Sequence, residues 1–343
     1  MPGNPQHQVT LRFSDGVEHC ISVQAGETVL EAALDGDAPV LFQCRSGTCS
    51  SCMAHLHEGR ASMRAGKASV LSHSEASTGA RLLCCTEVAG DCTFTLDYDS
   101  AASGAGPRKA KAFVDKVERI ALDAVRLVLE LAEGDWIDFH PGQFIQVKVP
   151  GTDIWRRYSI ASTRADLPVV ELLIRLLPGG AMSGWLTSEA SSDAVVEIEG
   201  PFGAFFLAEK IRAPHIMIAG GTGLAPMMSM IDTIRAQPGR KPLILLSFGC
   251  ASTEALFHRD ELELRQHWMP GLDVRLSVDR GERSKGLRIG NPVEALSSDD
   301  VTDPDSVAYL CGPPGLINAA RARLIGLGIK SENIHAEQFV ASE

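Results

Sequence analysis

The sequence predicts three domains in succession: a mixed α+β unit, an antiparallel β-barrel and a doubly wound parallel α/β unit. Three observations carry this. Seven of the nine cysteines fall within the first 99 residues. Short alternating runs separated by turn clusters fill the middle of the chain. From about residue 212 buried-strand runs alternate with helical stretches. A length of 343 residues accommodates two or three domains, and 45% apolar with 22% charged residues is the balance of a globular chain. The 43 acidic against 32 basic residues leave a net charge of −11, which argues against nucleic acid as a partner. The chain has no apolar run of membrane-spanning length, and its start, MPGNPQHQVT, lacks a signal-peptide pattern, so a cytoplasmic protein with no membrane partner is expected.

In the first segment, Val9–Phe13 and Val17–Val23 alternate around a Ser14-Asp15-Gly16 turn and predict a hairpin. Thr28 and Glu31 have capping-box spacing and predict a short helix. Residues 100–108 are small or contain Gly and Pro, and predict a linker between a domain at 1–99 and one at 109–211. Strands are expected at Ala112–Val117, Val125–Leu131, Phe144–Val149, Tyr158–Ala161, Val169–Leu176 and Ala194–Glu199, with a helix at Trp185–Glu189. The last domain, 212–343, should place strands at Pro214–Ala219, Leu243–Phe248, Asp273–Val278 and Ser306–Cys311, and helices at Pro226–Ala236, 253–267 and 314–326.

Cys44, Cys49 and Cys52 form C-x4-C-x2-C, and Cys84 follows 32 positions later. Thiolates so spaced on a loop of small residues can wrap two irons, with backbone N–H groups turned toward the sulfides. A disulfide framework is the weaker reading for an odd number of cysteines without a secretion signal. Cys84 and Cys85 are adjacent, and either can supply the fourth sulfur. Cys20 and Cys92 are expected to be buried small hydrophobes.

Arg156, Tyr158 and Ser159 form R-x-Y-S at the start of a strand. They offer a forked cation for a pyrophosphate, an aromatic face for an isoalloxazine ring and a hydroxyl for its N5. Gly180, Ala181, Met182 and Ser183 precede the expected helix, whose free N–H groups suit the same pyrophosphate. Strand 214–219 leads through Gly221, Thr222 and Gly223 into a helix, a turn that lets backbone approach a dinucleotide. The segment Phe248–Glu254 carries no Arg or Lys for a 2′-phosphate, and Glu254 would repel one, so NADH is expected. His55, His57 and His73 are expected on the surface, and Met227, Met228 and Met230 in a core. Ser183 has no nucleophile context, which excludes a hydrolase.

On these motifs residues 8–98 resemble plant-type ferredoxins, which implies a β-grasp fold with a [2Fe–2S] cluster; the Leu82-Leu83-Cys84 match makes Cys84 the implied fourth ligand. Residues 109–209, through P-G-Q-F, R-x-Y-S, G-x-x-S and G-P-x-G, are similar to the FAD domain of the ferredoxin–NADP reductase superfamily. G-G-T-G-x-A-P and Cys311-Gly312-Pro313-Pro314 resemble its NAD(P) domain. That resemblance implies Cys311, Gly312 and Pro313 at the nicotinamide and Phe339 close to the flavin. The module order resembles reductase components of aromatic-ring-hydroxylating oxygenases of the benzoate type. It implies electron transfer from NADH through FAD and [2Fe–2S] to a Rieske or di-iron oxygenase component or another one-electron acceptor. A deoxysugar-dehydration reductase shares the order, and a non-enzymatic redox sensor is a further alternative.

Overall fold

The computed structural model describes residues 6–43, 45–47, 50–66, 71, 73–104, 106–207, 212–282 and 284–339. The backbone divides into two compact units, residues 1–106 with 202–204, and residues 107–201 with 205–343. Among the described residues no helix is long and apolar enough to cross a membrane.

In the first unit β1 (Gln6–Arg12) and β2 (Glu18–Gln24) pair antiparallel with Val9 opposite Ile21. Alternation sends Val9, Leu11, Ile21 and Val23 into the core. The same alternation corrects one expectation: Cys20 lies on the outward face of β2 and is exposed, whereas Cys92 is buried as expected. Helix α1 (Val29–Asp35) starts at the expected capping box. The Thr28 hydroxyl oxygen accepts from the Glu31 N–H at 3.3 Å, and the Glu31 carboxylate accepts from the Thr28 N–H at 2.9 Å. The helix buries Val29, Leu30, Ala32 and Ala33.

After it come β3 (Met53–Glu58), β4 (Ala61–Met63), α2 (His73–Ser77), β5 (Ala80–Leu82), β6 (Thr86–Val88) and β7 (Cys92–Thr95). The main sheet has the order β2-β1-β7-β3-β5, with β1 and β7 parallel at its centre. β4 and β6 form a separate pair. This is the β-grasp arrangement, a helix laid on a mixed sheet.

The second unit opens with β8 (Arg108–Ala121), β9 (Ala124–Leu131), β10 (Phe144–Lys148), β11 (Trp155–Ser159), β12 (Val169–Arg175), α3 (Ala181–Ser188) and β13 (Val195–Phe202). Their sheet order is β11-β10-β13-β8-β9-β12. An antiparallel bridge from Ile160 to Leu172 joins the two ends and closes the barrel. Helix α3 begins four residues before the expected start at Trp185. Met182, Trp185 and Leu186 form its buried stripe at helical spacing, so the expected start at Trp185 misses the first turn of the helix.

Then follow β14 (His215–Gly220), α4 (Leu224–Ala236), β15 (Ile244–Ser252), α5 (Arg259–Trp268), β16 (Leu272–Arg280), β17 (Leu287–Ile289), β18 (Val307–Gly312), α6 (Pro314–Gly326) and β19 (Ile334–Gln338). All pairs in the sheet β17-β16-β15-β14-β18-β19 are parallel. The helix expected from residue 253 starts only at Arg259, because His258 takes a left-handed conformation (φ 55°) and breaks the run. The edge strands β17 and β19 are too short to stand out as a period in the sequence.

The barrel and the parallel sheet share a core. Ala124, Ala161 and Leu173 of the barrel pack with Met217, Met227 and Met230. Met227, Met228 and Met230 are all buried, as expected. Gly142 (φ 108°) sits at this seam, where an added Cβ would lie 2.5 Å from Met230 Cε and 2.6 Å from the Phe205 carbonyl oxygen. The tip of the β8–β9 hairpin is fastened by the Leu122 N–H donating to the Glu254 carbonyl at 2.9 Å.

The capping box gives a direct check on the first unit. Thr28→Ala should destabilise it by about 0.5–2 kcal/mol, seen as a lower urea midpoint for its unfolding; an unchanged midpoint would mean that α1 is held by packing alone.

Candidate functional site

Three groups of residues carry the chemistry, one in the first unit and two that meet in the second. In the first unit the Leu83 N–H donates to the Cys52 carbonyl at 3.0 Å, which ties the segment of Cys84 to that of Cys52. Cys52, Cys84 and Cys85 are all buried. Cys44 and Cys49 lie outside the described residues. Between them Arg45 (φ 52°) and Gly47 (φ 78°) are left-handed. Buried soft donors on two segments tied together fit an iron–sulfur cluster. His55 is half-buried and His57 exposed, and they pair loosely with Asp97 and Glu58, at 3.8 and 3.9 Å.

In the barrel, strand alternation puts Arg156 and Tyr158 on one face of β11 and Ser159 on the other. Arg156 donates to the Trp155 carbonyl at 3.1 Å and, among the described residues, has no carboxylate partner. Its guanidinium is therefore available to a phosphate. The Tyr158 ring packs against the barrel core, and burial pushes its phenol pKa up. At the start of α3, Gly180 is the N-cap, and Ala181, Met182 and Ser183 present the first N–H groups, which have no intrahelical acceptor. The Met182 side chain belongs to the core. The Ser183 hydroxyl accepts from the Leu177 N–H at 2.8 Å and so shapes the loop before the helix. An added Cβ at Gly180 would sit 3.1 Å from the Ser183 Oγ, which leaves the turn no slack. A free forked cation, an aromatic ring and a helix N-terminus fit an FAD.

In the parallel sheet the glycines of G-G-T-G divide the work. Gly221 is left-handed (φ 55°), and an added Cβ there would meet nothing within 4 Å. Gly223 is its opposite: a Cβ would lie 2.3 Å from the Cys311 carbonyl oxygen. At Gly220 it would lie 2.6 Å from Leu316 and 3.2 Å from Pro313. Gly312 (φ 153°) faces Gly220 across the same gap, where an added Cβ would lie 3.3 Å from the Gly220 Cα. Thr222 stands at the rim, half-buried, between the two. Open backbone at Gly221 ahead of α4 fits a dinucleotide.

The signatures of the two halves meet at one point. The Ser159 hydroxyl donates to Glu337 Oε2 at 3.1 Å. Glu337 is opposite Cys311 in the β18–β19 register, and the Phe339 N–H donates to the Gly312 carbonyl at 2.9 Å. Cys311 is fully enclosed, so burial, and after it the nearby Glu337, push its thiol pKa well up. Burial also pushes the Glu337 carboxyl up, to about 7, against the lowering effect of the Ser159 hydroxyl. Glu337 was not singled out in the sequence. Its place in Glu337-Gln338-Phe339, two residues from Phe339, was the available signal.

At the end of β15 the Ser252 hydroxyl holds the exposed Glu254 carboxyl below the usual range. The neighbouring strand corrects the expectation of a strand end without a cation: Arg280 is opposite Ser252 in the register and is within electrostatic reach of Glu254. Cys250 is buried with its sulfur on the Gly221 backbone, and its thiol is pushed up to about 12, chiefly by that burial.

The fold and these sites define an iron–sulfur flavoprotein oxidoreductase. Family models match in the same order: a 2Fe-2S iron-sulfur cluster binding domain at residues 12–89, an oxidoreductase FAD-binding domain at 111–207 and an oxidoreductase NAD-binding domain at 217–322. The toluate 1,2-dioxygenase electron transfer component of Pseudomonas putida is 32% identical over 98% of this chain and 99% of its own length. The anthranilate 1,2-dioxygenase electron transfer component of Acinetobacter baylyi is 30% identical over 98% of both chains. A crystal structure of an Amycolatopsis cytochrome P450 reductase superposes with a TM-score of 0.72 at 28% identity, covering 96% of this chain and 98% of the other. The ferredoxin reductase of carbazole 1,9a-dioxygenase, 22% identical, shares the fold with a TM-score of 0.67 over 98% of this chain and 99% of its own. The chain belongs to the family of three-domain electron transfer components of oxygenase systems, which carry [2Fe–2S], FAD and NAD-binding domains.

The raised carboxyl sets a pH dependence. Folded Glu337 keeps its proton up to about pH 7, whereas the unfolded chain releases it near 4.5. The folded state thus binds more protons in that window, and stability falls as pH rises from 4.5 through 7. Glu337→Gln should remove this part of the slope. Melting temperatures across pH 4–8 that run parallel for variant and wild type would place the carboxyl's titration elsewhere.

Proposed function

We propose that this protein is an NADH-dependent reductase that delivers electrons to the terminal component of an aromatic-ring-hydroxylating oxygenase. One observation carries the reading: the 3.1 Å bond from Ser159 to Glu337 joins the flavin-type strand to the strand beside Cys311, so the residues assigned to the flavin and to the nicotinamide are neighbours. The acceptor is read from the relatives, whose names include toluate, 2-halobenzoate and anthranilate 1,2-dioxygenase systems.

When bound, FAD supplies conversion between paired and single electrons, and the cluster, held by Cys44, Cys49, Cys52 and Cys84, supplies one-electron transfer. The chain's own task is placement. Arg156 and the N–H groups of Ala181, Met182 and Ser183 grip a pyrophosphate, Tyr158 lies against the ring system, and Ser159 presents a hydroxyl at the working edge. Gly221, Thr222 and Gly223 receive the nicotinamide dinucleotide, while Cys311, Gly312 and Pro313 wall the pocket and Phe339 covers it. No side chain in the set needs to act as a nucleophile. Glu254 disfavours a 2′-phosphate and supports NADH, though Arg280 beside it weakens that preference. The domains are proposed as 1–99, 109–211 and 212–343 with a linker at 100–108, within which Ser100 is bonded to Asp15 of the first unit and Arg108 is the first residue of β8. The cytoplasm is the proposed compartment, since NADH and reduced thiols are found there.

Two variants test the assignment. Cys49→Ser should abolish the visible absorbance of the cluster and electron delivery to the oxygenase, yet leave NADH:ferricyanide activity; loss of both activities together would refute a separable flavin half. Arg156→Ala should weaken FAD retention about ten- to a hundredfold, the equivalent of a charge-assisted contact of about 1.5–3 kcal/mol. An unaltered flavin affinity in ultrafiltration would return Arg156 to the surface.

A further inference from the structure

We propose that Cys85 is a second thiol for the fourth ligand position, able to hold the cluster in place of Cys84. The inference rests on the iron–sulfur reading above. Cys84 and Cys85 are successive residues of one 3-10 turn, Leu83–Cys85. Their sulfurs are 3.5 Å apart. That separation is comparable to the swing of a sulfur between two staggered rotamers, so either thiol can serve one metal position with little backbone movement.

The backbone of the turn is pinned independently of which sulfur is used. The Leu83 N–H holds the Cys52 carbonyl at 3.0 Å, the Thr86 hydroxyl donates to the Leu82 carbonyl at 2.8 Å, and the Arg64 N–H donates to the Cys85 carbonyl at 2.8 Å. Cys92 shows the contrast. It is buried in the same unit, but its thiol is engaged by the carbonyls of Arg60 and Gly90 at 3.4 and 3.3 Å, and among the described residues it has no sulfur neighbour of this kind.

The full-length protein, purified anaerobically, tests this through iron and acid-labile sulfide content and through visible and paramagnetic resonance spectra. Cys85→Ala should keep the wild-type spectrum. Cys84→Ala should keep its iron with a shifted spectrum, Cys84→Ser should match Cys84→Ala, and the variant lacking both thiols should lose the cluster. An iron-free Cys84→Ala whose first unit still resists limited proteolysis overturns the proposal. If that variant proves unstable, Cys84→Ser decides, and an iron-free protein or an oxygen-ligated spectrum that persists when Cys85 is also removed overturns it. An iron-free Cys85→Ala overturns it as well, by making Cys85 the primary ligand. A wild-type chain without iron would instead sink the iron–sulfur reading itself, and FAD content with NADH:ferricyanide activity reports separately on the flavin half.

Discussion

Two glycine turns approach so closely in the parallel sheet that neither tolerates a side chain between them. Gly223 lies against the Cys311 carbonyl, and Gly220 against Gly312 and Pro313. A methyl group at Gly223 would sit 2.3 Å from that carbonyl oxygen, far inside van der Waals contact. The approach sets the separation of β14 and β18 at their carboxyl ends, where parallel sheets bind their ligands. It therefore sets where Cys311 sits, and through the β18–β19 register where Glu337 and Phe339 sit. Ser159 reaches Glu337 because the barrel and the sheet share a core through Ala161, Leu173 and Met227. The meeting of Ser159 with Glu337 is a consequence of backbone packing.

What was legible in the sequence follows the range of the interactions. The Thr28–Glu31 capping box spans four residues and is complete in the structure. The glycine turn into α4 and the Pro-started α6 are local as well. The start of α5 was misread because a left-handed His258 interrupts the helix in a run with helix-compatible side chains. Glu337 and Arg280 were invisible for another reason. Each gains its place from a partner on a neighbouring strand, Cys311 and Ser252 respectively, and a register cannot be read along one strand. Cys20 shows the same limit on a smaller scale, since only the pairing of β1 with β2 shows which face is outward.

A lone cysteine in an apolar core is kept protonated by the cost of burying its charge, as at Cys92, Cys250 and Cys311. Such thiols pack and do not ligate. In the first unit Cys84 and Cys85 differ from these in that their buried sulfurs are neighbours, 3.5 Å apart, on a turn tied to the segment of Cys52. Position in the fold, more than count or spacing, separates ligating cysteines from packing ones.

The loop that would hold the cluster carries a local strain, and its sequence offsets part of it. A non-glycine residue in the left-handed region costs roughly 1–3 kcal/mol, and Arg45 occupies it at φ 52°. Its guanidinium lies 4.7 Å from the centroid of the Phe42 ring, a cation–π contact of about 0.5–1 kcal/mol that this backbone conformation makes possible. Glycine at position 45 would relieve the strain but lose both the contact and the positive charge beside an anionic centre. The conformation thus offsets part of its own cost by holding a cation over an aromatic face at the edge of the loop.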